Sequence, residues 1–386
     1  MLKQIVQVSD ESEIFRDALE KAIENVSPLS RVQELDNSKT FDSGLHSVLS
    51  ELQVLGVGVP EESGGAGGDA IDQVITLEVL GRKATSMAVY MVVHFMITRI
   101  LLENGNAEQI ETYLRPLVEG RIKASFCLTE SGGGTDILSS MKTRATPDGD
   151  GWRLNGNKMW ISGASTSDIY IVLARTAEHH TRGVTMFLVP ANAKGVSAQE
   201  LQTVAINGYD TNEIAFDDVA VGPDAVLGVV DDGFPQVIAT LNGERMNAAA
   251  VAVGIGRGAI EVTRDYALER TAFDRPVGQF QAVQHQLAVA GTAVEAAWLL
   301  TLEAARNDAA GRATDVVSSM AKYASARAAV QATDTGMDIF AGAGFDTSLP
   351  IQRYLRDARL YSFAPLNNNT TLNMIAERWL ELPRAK

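Results

Sequence analysis

The segment KASFCLTESGGGTD, residues 123–136, is where the chain changes character. It begins as a short strand, ends that strand near Thr129, and then passes through three consecutive glycines. Such a backbone can lie against something flat or phosphorylated, because successive N–H groups in a glycine turn form an anion-binding concavity. Taken alone, the stretch is better explained as an ordinary glycine-rich hairpin loop. The flanking texture is more informative. Before it, SEIFRDALEKAIENV (12–26) and DQVITLEVLGRKATSMAVYMVVHFMITRILLENG (72–105) place apolar residues at three- and four-residue spacing, a helical period. After it, WRLNGNKMWIS (152–162), DIYIVLART (168–176), VTMFLVP (184–190) and NEIAFDDVAV (212–221) are short β-branched or aromatic runs. PDGDG, NG and NAKG separate them, the pattern of antiparallel strands and hairpins.

From about residue 230 the helical period returns in Ala-rich segments and persists to the end. The expected architecture is α+β in three parts. These are an N-terminal helical domain (1–122), a central antiparallel β-domain (123–229) and a C-terminal helical bundle (230–386).

The composition narrows the function. The chain has 386 residues, 46% of them apolar, enough for a substantial core. A formal charge of −15, from 48 acidic against 33 basic side chains, argues against a nucleic-acid face, which needs clustered Lys and Arg. The single cysteine, Cys127, rules out internal disulfides and a thiolate cluster. MLKQIVQVSDESEIFRDALE has neither a basic n-region nor a long apolar run. The longest apolar stretch, MAVYMVVHFMITRILL, is interrupted by His94 and Arg99 and reads as a buried helix. The expectation is a protein of a reducing, cytoplasmic compartment, with no membrane partner.

VAVGIGRGAIE (251–261) carries Gly254, Gly256 and Ala259 in dinucleotide-fingerprint spacing, with Asp274 twenty residues after Gly254. That fingerprint must follow a strand and open a helix. Here the run from Phe234 to Glu269 is helical throughout, so small residues at a close helix contact explain the glycines. The histidines, His46, His94, His179, His180 and His285, form no zinc-like spacing, His179 and His180 reading as solvated in a polar loop. No nucleophile elbow occurs.

Five segments in order carry a family resemblance: YLRPLVEGRIKASFCLTESGGGTD, GWRLNGNKMWISGAS, GVTMFLVP, RTAFDRPVGQFQAVQHQLA and AGAGF followed by LRDAR. Together they resemble the acyl-CoA dehydrogenase family over nearly the whole chain. The resemblance implies that fold, with a C-terminal four-helix bundle, and FAD at the junction of β-domain and bundle. Phe126, Leu128 and Thr129 would lie along the flavin ring, Thr135 would reach the pyrophosphate, and Trp160 and Ser162 would flank the reactive edge. Arg270, Phe273 and Gln281 would contact the FAD of a neighbouring subunit in a homotetramer, with Asp338 and Gly342 near its adenine end and Asn369 and Thr371 closing over it. The implied reaction removes an α-proton from an acyl thioester, on CoA or a carrier protein, and passes the β-hydride to flavin. An electron-transfer flavoprotein is the implied acceptor.

Many members carry the base just after the helix of the RDA motif. The corresponding stretch here, YSFAPLNNNTT (361–371), reads as turns and contains no acid. Counting from Asp357 places Pro365 at the base position; counting back from Leu372 places Asn367 there. Asn367 is preferred, because in the family that this chain resembles the backbone N–H at this position donates to the thioester carbonyl, and proline has none. An amide cannot take the proton, so the base lies elsewhere. In PQVIATLNGERMNAAAV, Val237, Leu241, Glu244, Ala248 and Val251 share one helix face. A carboxylate on that stripe is desolvated and its pKa raised; on an exposed face it would simply pair with a cation. Isovaleryl-CoA and long-chain acyl-CoA dehydrogenases carry their base in this L-x-x-E-R context, which points to Glu244, with Arg245 and Asn242 as substrate-side neighbours. Asn242, Asp274, Asp338, Asn369 and Thr371 depart from the family's usual residues. Two other readings remain: a flavin oxidase or monooxygenase on this fold, and a non-catalytic half-site subunit of a hetero-oligomer.

Overall fold

The computed structural model describes residues 5–6, 8–179 and 182–384, so His180 lies outside the described residues. Helices α1 (Asp10–Val26), α2 (Leu29–Ser38), α3 (Ser43–Glu51), α4 (Ala70–Lys83) and α5 (Thr85–Asn104) come first. Then follow α6 (Ala107–Gln109), a π-helical turn at Ile110–Leu114 and α7 (Arg115–Val118). Helix α5 and a later helix, Gln281–Ala309, are both long and apolar enough to cross a membrane, but α5 is 78% buried in protein. It is a core helix, as its interrupting His94 and Arg99 suggest.

The middle of the chain is one mostly antiparallel eight-stranded sheet: β1 (Ala124–Cys127), β2 (Arg144–Asp148), β3 (Gly151–Ser162), β4 (Ile169–Arg175), β5 (Val184–Pro190), β6 (Val196–Glu200), β7 (Thr211–Val221) and β8 (Val226–Leu227). A short α8 (Ile137–Ser140) follows β1. The spatial order is β6-β7-β3-β2-β4-β5-β8. β1 departs from the expected antiparallel pattern, running parallel to β4 with Phe126 opposite Ile171. β4 is buried on both faces, which is why it reads as an unbroken apolar run. Ile169, Ile171 and Leu173 face a core shared with Met96 and Ile97 of α5, whereas Tyr170, Val172 and Ala174 face one shared with Leu154, Ile214 and Phe216.

Helix α9 (Gly233–Glu269) is a single 37-residue element, about 55 Å long. A two-stranded hairpin, β9 (Thr271–Ala272) and β10 (Arg275–Pro276), links it to α10 (Gln281–Ala309); α11 (Asp315–Phe340), α12 (Ile351–Ala358) and α13 (Asn368–Arg378) complete the bundle. α4 packs on α9 through glycines: a Cβ on Gly254 would sit 2.2 Å from Glu78 O, and one on Gly81 would sit 2.6 Å from Val251 O. The fingerprint-like spacing is therefore helix packing. Buried charges lace the same contact. Arg257 pairs with Glu78 at 3.2 Å and Glu295 at 2.8 Å, while Arg82 pairs with Glu20 and Glu261. Charges this deep persist only when paired.

Candidate active site

The glycine loop after β1 is pinned by a buried ion pair that has no local sequence signal. Lys158 Nζ donates to Glu130 Oε1 at 2.9 Å and to Leu128 O at 3.0 Å. Glu130 also accepts the N–H groups of Lys142 (2.7 Å) and Thr143 (3.0 Å), and Met159 N donates to Thr129 O at 2.8 Å. Burial opposes the Glu130 charge, yet Lys158 and these hydrogen bonds bring its pKa below the ordinary range. The strand end is thus locked to β3. Phe126, Leu128, Thr129 and Ser162 are half-buried around it. Trp160 sits at a positive φ of 63° beside a register shift in β3, and its ring is 58% exposed. A bulky residue held there is strained, and such strain concentrates at functional sites.

The loop itself is open. A Cβ on Gly132 or Gly134 would meet nothing within 4 Å, leaving room for a ligand against the backbone. Thr135 follows, exposed, and accepts a 2.9 Å hydrogen bond from Asn367 Nδ2. Asn367 is the N-cap of α13, its Oδ1 accepting from Thr370 N at 2.8 Å. The turn-like stretch 361–371 is therefore partly helical: Asn368 to Thr371 form the first turn, because Asn satisfies the orphan N–H groups of a helix start. The N–H of Asn367 itself donates to no described residue. Thr371 is buried, its hydroxyl on Asn367 O at 3.0 Å, and so supports the cap. Asn368 accepts from Lys322, a buried lysine of α11, at 2.8 Å.

Glu244 lies on α9 within the expected stripe, beside the buried Val237, Ala248 and Val251. Burial pushes its pKa up to about 7, against the opposing pull of Arg245. No described residue hydrogen-bonds its carboxylate. Arg245 is buried and donates to Asn242 Oδ1 at 2.7 Å. It also feels Arg378 of α13 and Asp315 of α11, which places those helices beside this part of α9. Asp357 of the LRDAR motif is a buried pin, accepting from Ile206 N at 2.9 Å.

Arg270, Phe273, Gln281, Asp338, Gly342 and Asn369 are all exposed. Phe273 and Asp274 occupy the two-residue hairpin turn with φ of 52° and 58°, so Asp274 takes the left-handed conformation that a glycine would take without strain. Phe273 is 88% exposed.

A helical domain, a mostly antiparallel sheet and a helical bundle, with the glycine loop tied to a capped helix, form the three-part dehydrogenase architecture that the sequence resemblance implies. The chain belongs to the acyl-CoA dehydrogenase family: the family's N-terminal domain matches residues 9–121, its middle domain 125–219 and its C-terminal domain 231–380. It is accordingly an oxidoreductase of that type. It is 32% identical to the mitochondrial short/branched chain specific acyl-CoA dehydrogenase of Bos taurus, covering 96% of this chain and 85% of that protein. Butyryl-CoA dehydrogenase of Megasphaera elsdenii superposes with a TM-score of 0.92 at 28% identity, covering 98% of this chain and 100% of that one. A chain solved in work on the electron transferring flavoprotein of Acidaminococcus fermentans superposes with a TM-score of 0.94 at 27% identity, with the same coverage of 98% and 100%.

Proposed function

We propose that the chain is an FAD-dependent acyl-thioester dehydrogenase that forms an α,β-double bond, with Glu244 as the base. The observation that carries this reading is a half-buried carboxylate beside the apolar Val237, Ala248 and Val251, with no hydrogen-bond partner among the described residues, whose pKa burial pushes up to about 7. At neutral pH it is ionised in a useful fraction, yet basic enough to draw a proton from a carbon next to a thioester.

The residues fit FAD: open glycine backbone at Gly132 and Gly134, the Thr135 hydroxyl, half-buried Phe126, Leu128, Thr129 and Ser162, and the exposed ring of Trp160. When bound, FAD supplies the acceptor for the β-hydride. The rest is the work of the chain. Glu244 takes the α-proton on a carboxylate oxygen. The unused N–H of Asn367 faces the thioester carbonyl and stabilises the negative charge that builds there as the proton leaves. The Asn367 side chain accepts no proton and walls the site. Asn242 holds Arg245, which keeps Glu244 from rising further.

Homo-oligomerisation belongs to the same reading. Arg270, Phe273 and Gln281 would meet a neighbour's cofactor, with Asp338, Gly342 and Asn369 at its edge. A phenyl ring left 88% in water supports burial against a second copy, as do exposed Val289 and Leu299 on α10. An electron-transfer flavoprotein is the proposed acceptor, and the acyl group sits on CoA or a carrier protein. Anaerobic mixing with a panel of acyl thioesters tests the function: at least one should bleach the flavin, and a panel that leaves it fully oxidised would overturn the reading.

A further inference from the structure

Lys322 of α11 is a buried cation that meets no acid. Its side chain is 1% exposed, and its Nζ donates to Asn368 Oδ1 at 2.8 Å. No described carboxylate lies within ion-pair reach of it. Elsewhere in the core a buried cation has its acid: Lys158 has Glu130 at 2.9 Å, Arg82 has Glu20 and Glu261, and Arg257 has Glu78 and Glu295. Lys322 has only an amide. Burial lowers its pKa to about 8, so at neutral pH it is still mostly an ammonium.

Its partner fixes where that charge acts. Asn368 is the first residue of α13 and follows Asn367, the cap. A helix start carries positive partial charge of its own, from N–H groups that have no carbonyl behind them. Two positive fields therefore converge where Asn367 offers its N–H. That arrangement is costly in a resting protein. It becomes favourable when negative charge develops beside it.

We propose that Lys322 is a positioning residue for the proton-transfer step: through Asn368 it sets a positive charge behind the Asn367 N–H and so stabilises the enolate. The inference rests on the dehydrogenase reading given above. In that step the α C–H bond breaks and the proton passes to the Glu244 carboxylate. The electron pair of the bond moves onto the thioester oxygen, which takes the charge. Lys322 touches none of these atoms and neither gains nor loses a proton.

The test isolates this step. The oxidised holoenzyme is titrated at neutral pH with (alkylthio)acetyl-CoAs, methyl to octyl, in which sulphur replaces the β-carbon. The α-proton can leave, but no hydride is available to follow it. An enolate held against oxidised flavin reports itself as a long-wavelength charge-transfer band. Lys322→Met should bind the same thioether and ionise it about tenfold less, a smaller loss than the roughly hundredfold of removing a donor in direct contact. Lys322→Arg keeps the charge and should restore most of the band. Thermal melting of the holoenzyme gives the second readout. Removing a buried cation that has no acid should hold or raise the midpoint, whereas cutting a mere tether should lower it. The proposal is overturned if Lys322→Met keeps the full band, or if it loses band and fold together. Glu244→Gln separates this from the base assignment. If that variant retains the band, another group takes the proton and Glu244 fails, while the Lys322 comparison still decides the ammonium's role. A wild type that forms no band with any thioether overturns both.

Discussion

Asn367 Nδ2 donates to Thr135 Oγ1 at 2.9 Å, joining the glycine loop of the sheet to the first turn of α13 across 232 residues of sequence. Asn367→Ala removes both this bond and the helix cap, and caps are worth about 1 kcal/mol. The thermal midpoint should fall by a few degrees and FAD should dissociate more readily on dilution. Turnover should fall only moderately, because the backbone N–H survives. A loss of about a hundredfold or more, the size of a missing general base, would show the side chain taking part in the chemistry.

Glu244→Gln is nearly isosteric and should keep the fold, the flavin and thioester binding. Substrate reduction of the flavin, followed by stopped-flow absorbance, should drop by orders of magnitude, since an amide cannot accept the proton. Glu244→Asp keeps the carboxylate but withdraws it by about a bond length, and partial activity is expected. Near wild-type bleaching by Glu244→Gln would sink the base assignment.

The pKa of about 7 gives Glu244 two opposite pH signatures. Activity needs the ionised form, so kcat/KM should rise through pH 7 and level off above it, with roughly a hundredfold loss two units below. Stability runs the other way. The folded pKa lies above the ordinary 4.5, so this group's contribution to folding is lost as pH rises from about 4.5 through 7. Glu244→Gln should therefore be more stable than the wild type at pH 8, by up to about 3 kcal/mol, and no more stable below pH 4.5. Denaturant melts at the two pH values check this.

His46 and His94 carry the acid limit of the fold. Burial lowers both to about 4, with His46 bonded to Tyr90 Oη at 2.9 Å and His94 to Leu55 O at 2.8 Å. Their stabilisation is complete above the unfolded value of 6.5 and is lost as pH falls through 4. Chemical denaturation at pH 7 and pH 5 should show the loss, and His94→Gln should narrow the gap.

Arg270→Glu places a carboxylate on the exposed end of α9, where a pyrophosphate is expected from a second copy. Flavin content after gel filtration should fall sharply, together with the oligomer. Full retention of both would discredit the shared cofactor site.

The long-range features of this site had unequal visibility in the sequence. α9 was legible end to end because its period never breaks, and the same period puts Glu244 on the buried stripe. Gly254 and Gly256 were legible as packing residues from their helical surroundings, although their partners, α4 for Gly254 and α10 and α11 for Gly256, were not. The start of α13 was missed because asparagine reads as a turn residue, and only a neighbour such as Thr370 reveals it as a cap. Glu130 and Lys158, 28 residues apart, carry no mutual signal. The β1–β4 pairing is likewise a product of tertiary packing, since nothing in ASFC prefers a parallel neighbour.

The unbroken length of α9 has a mechanical meaning. Glu244 rides near one end of it and Arg270 caps the other, 26 residues and about 39 Å away. The glycine crossing with α4 lies between them and acts as a fulcrum, where the backbones are too close to slide. If the acyl group settles beside Glu244 as proposed, a tilt of the rod there would swing Arg270 in the opposite sense. In an assembly where Arg270 braces a neighbour's cofactor, the rod makes loading of one centre a displacement felt at the next.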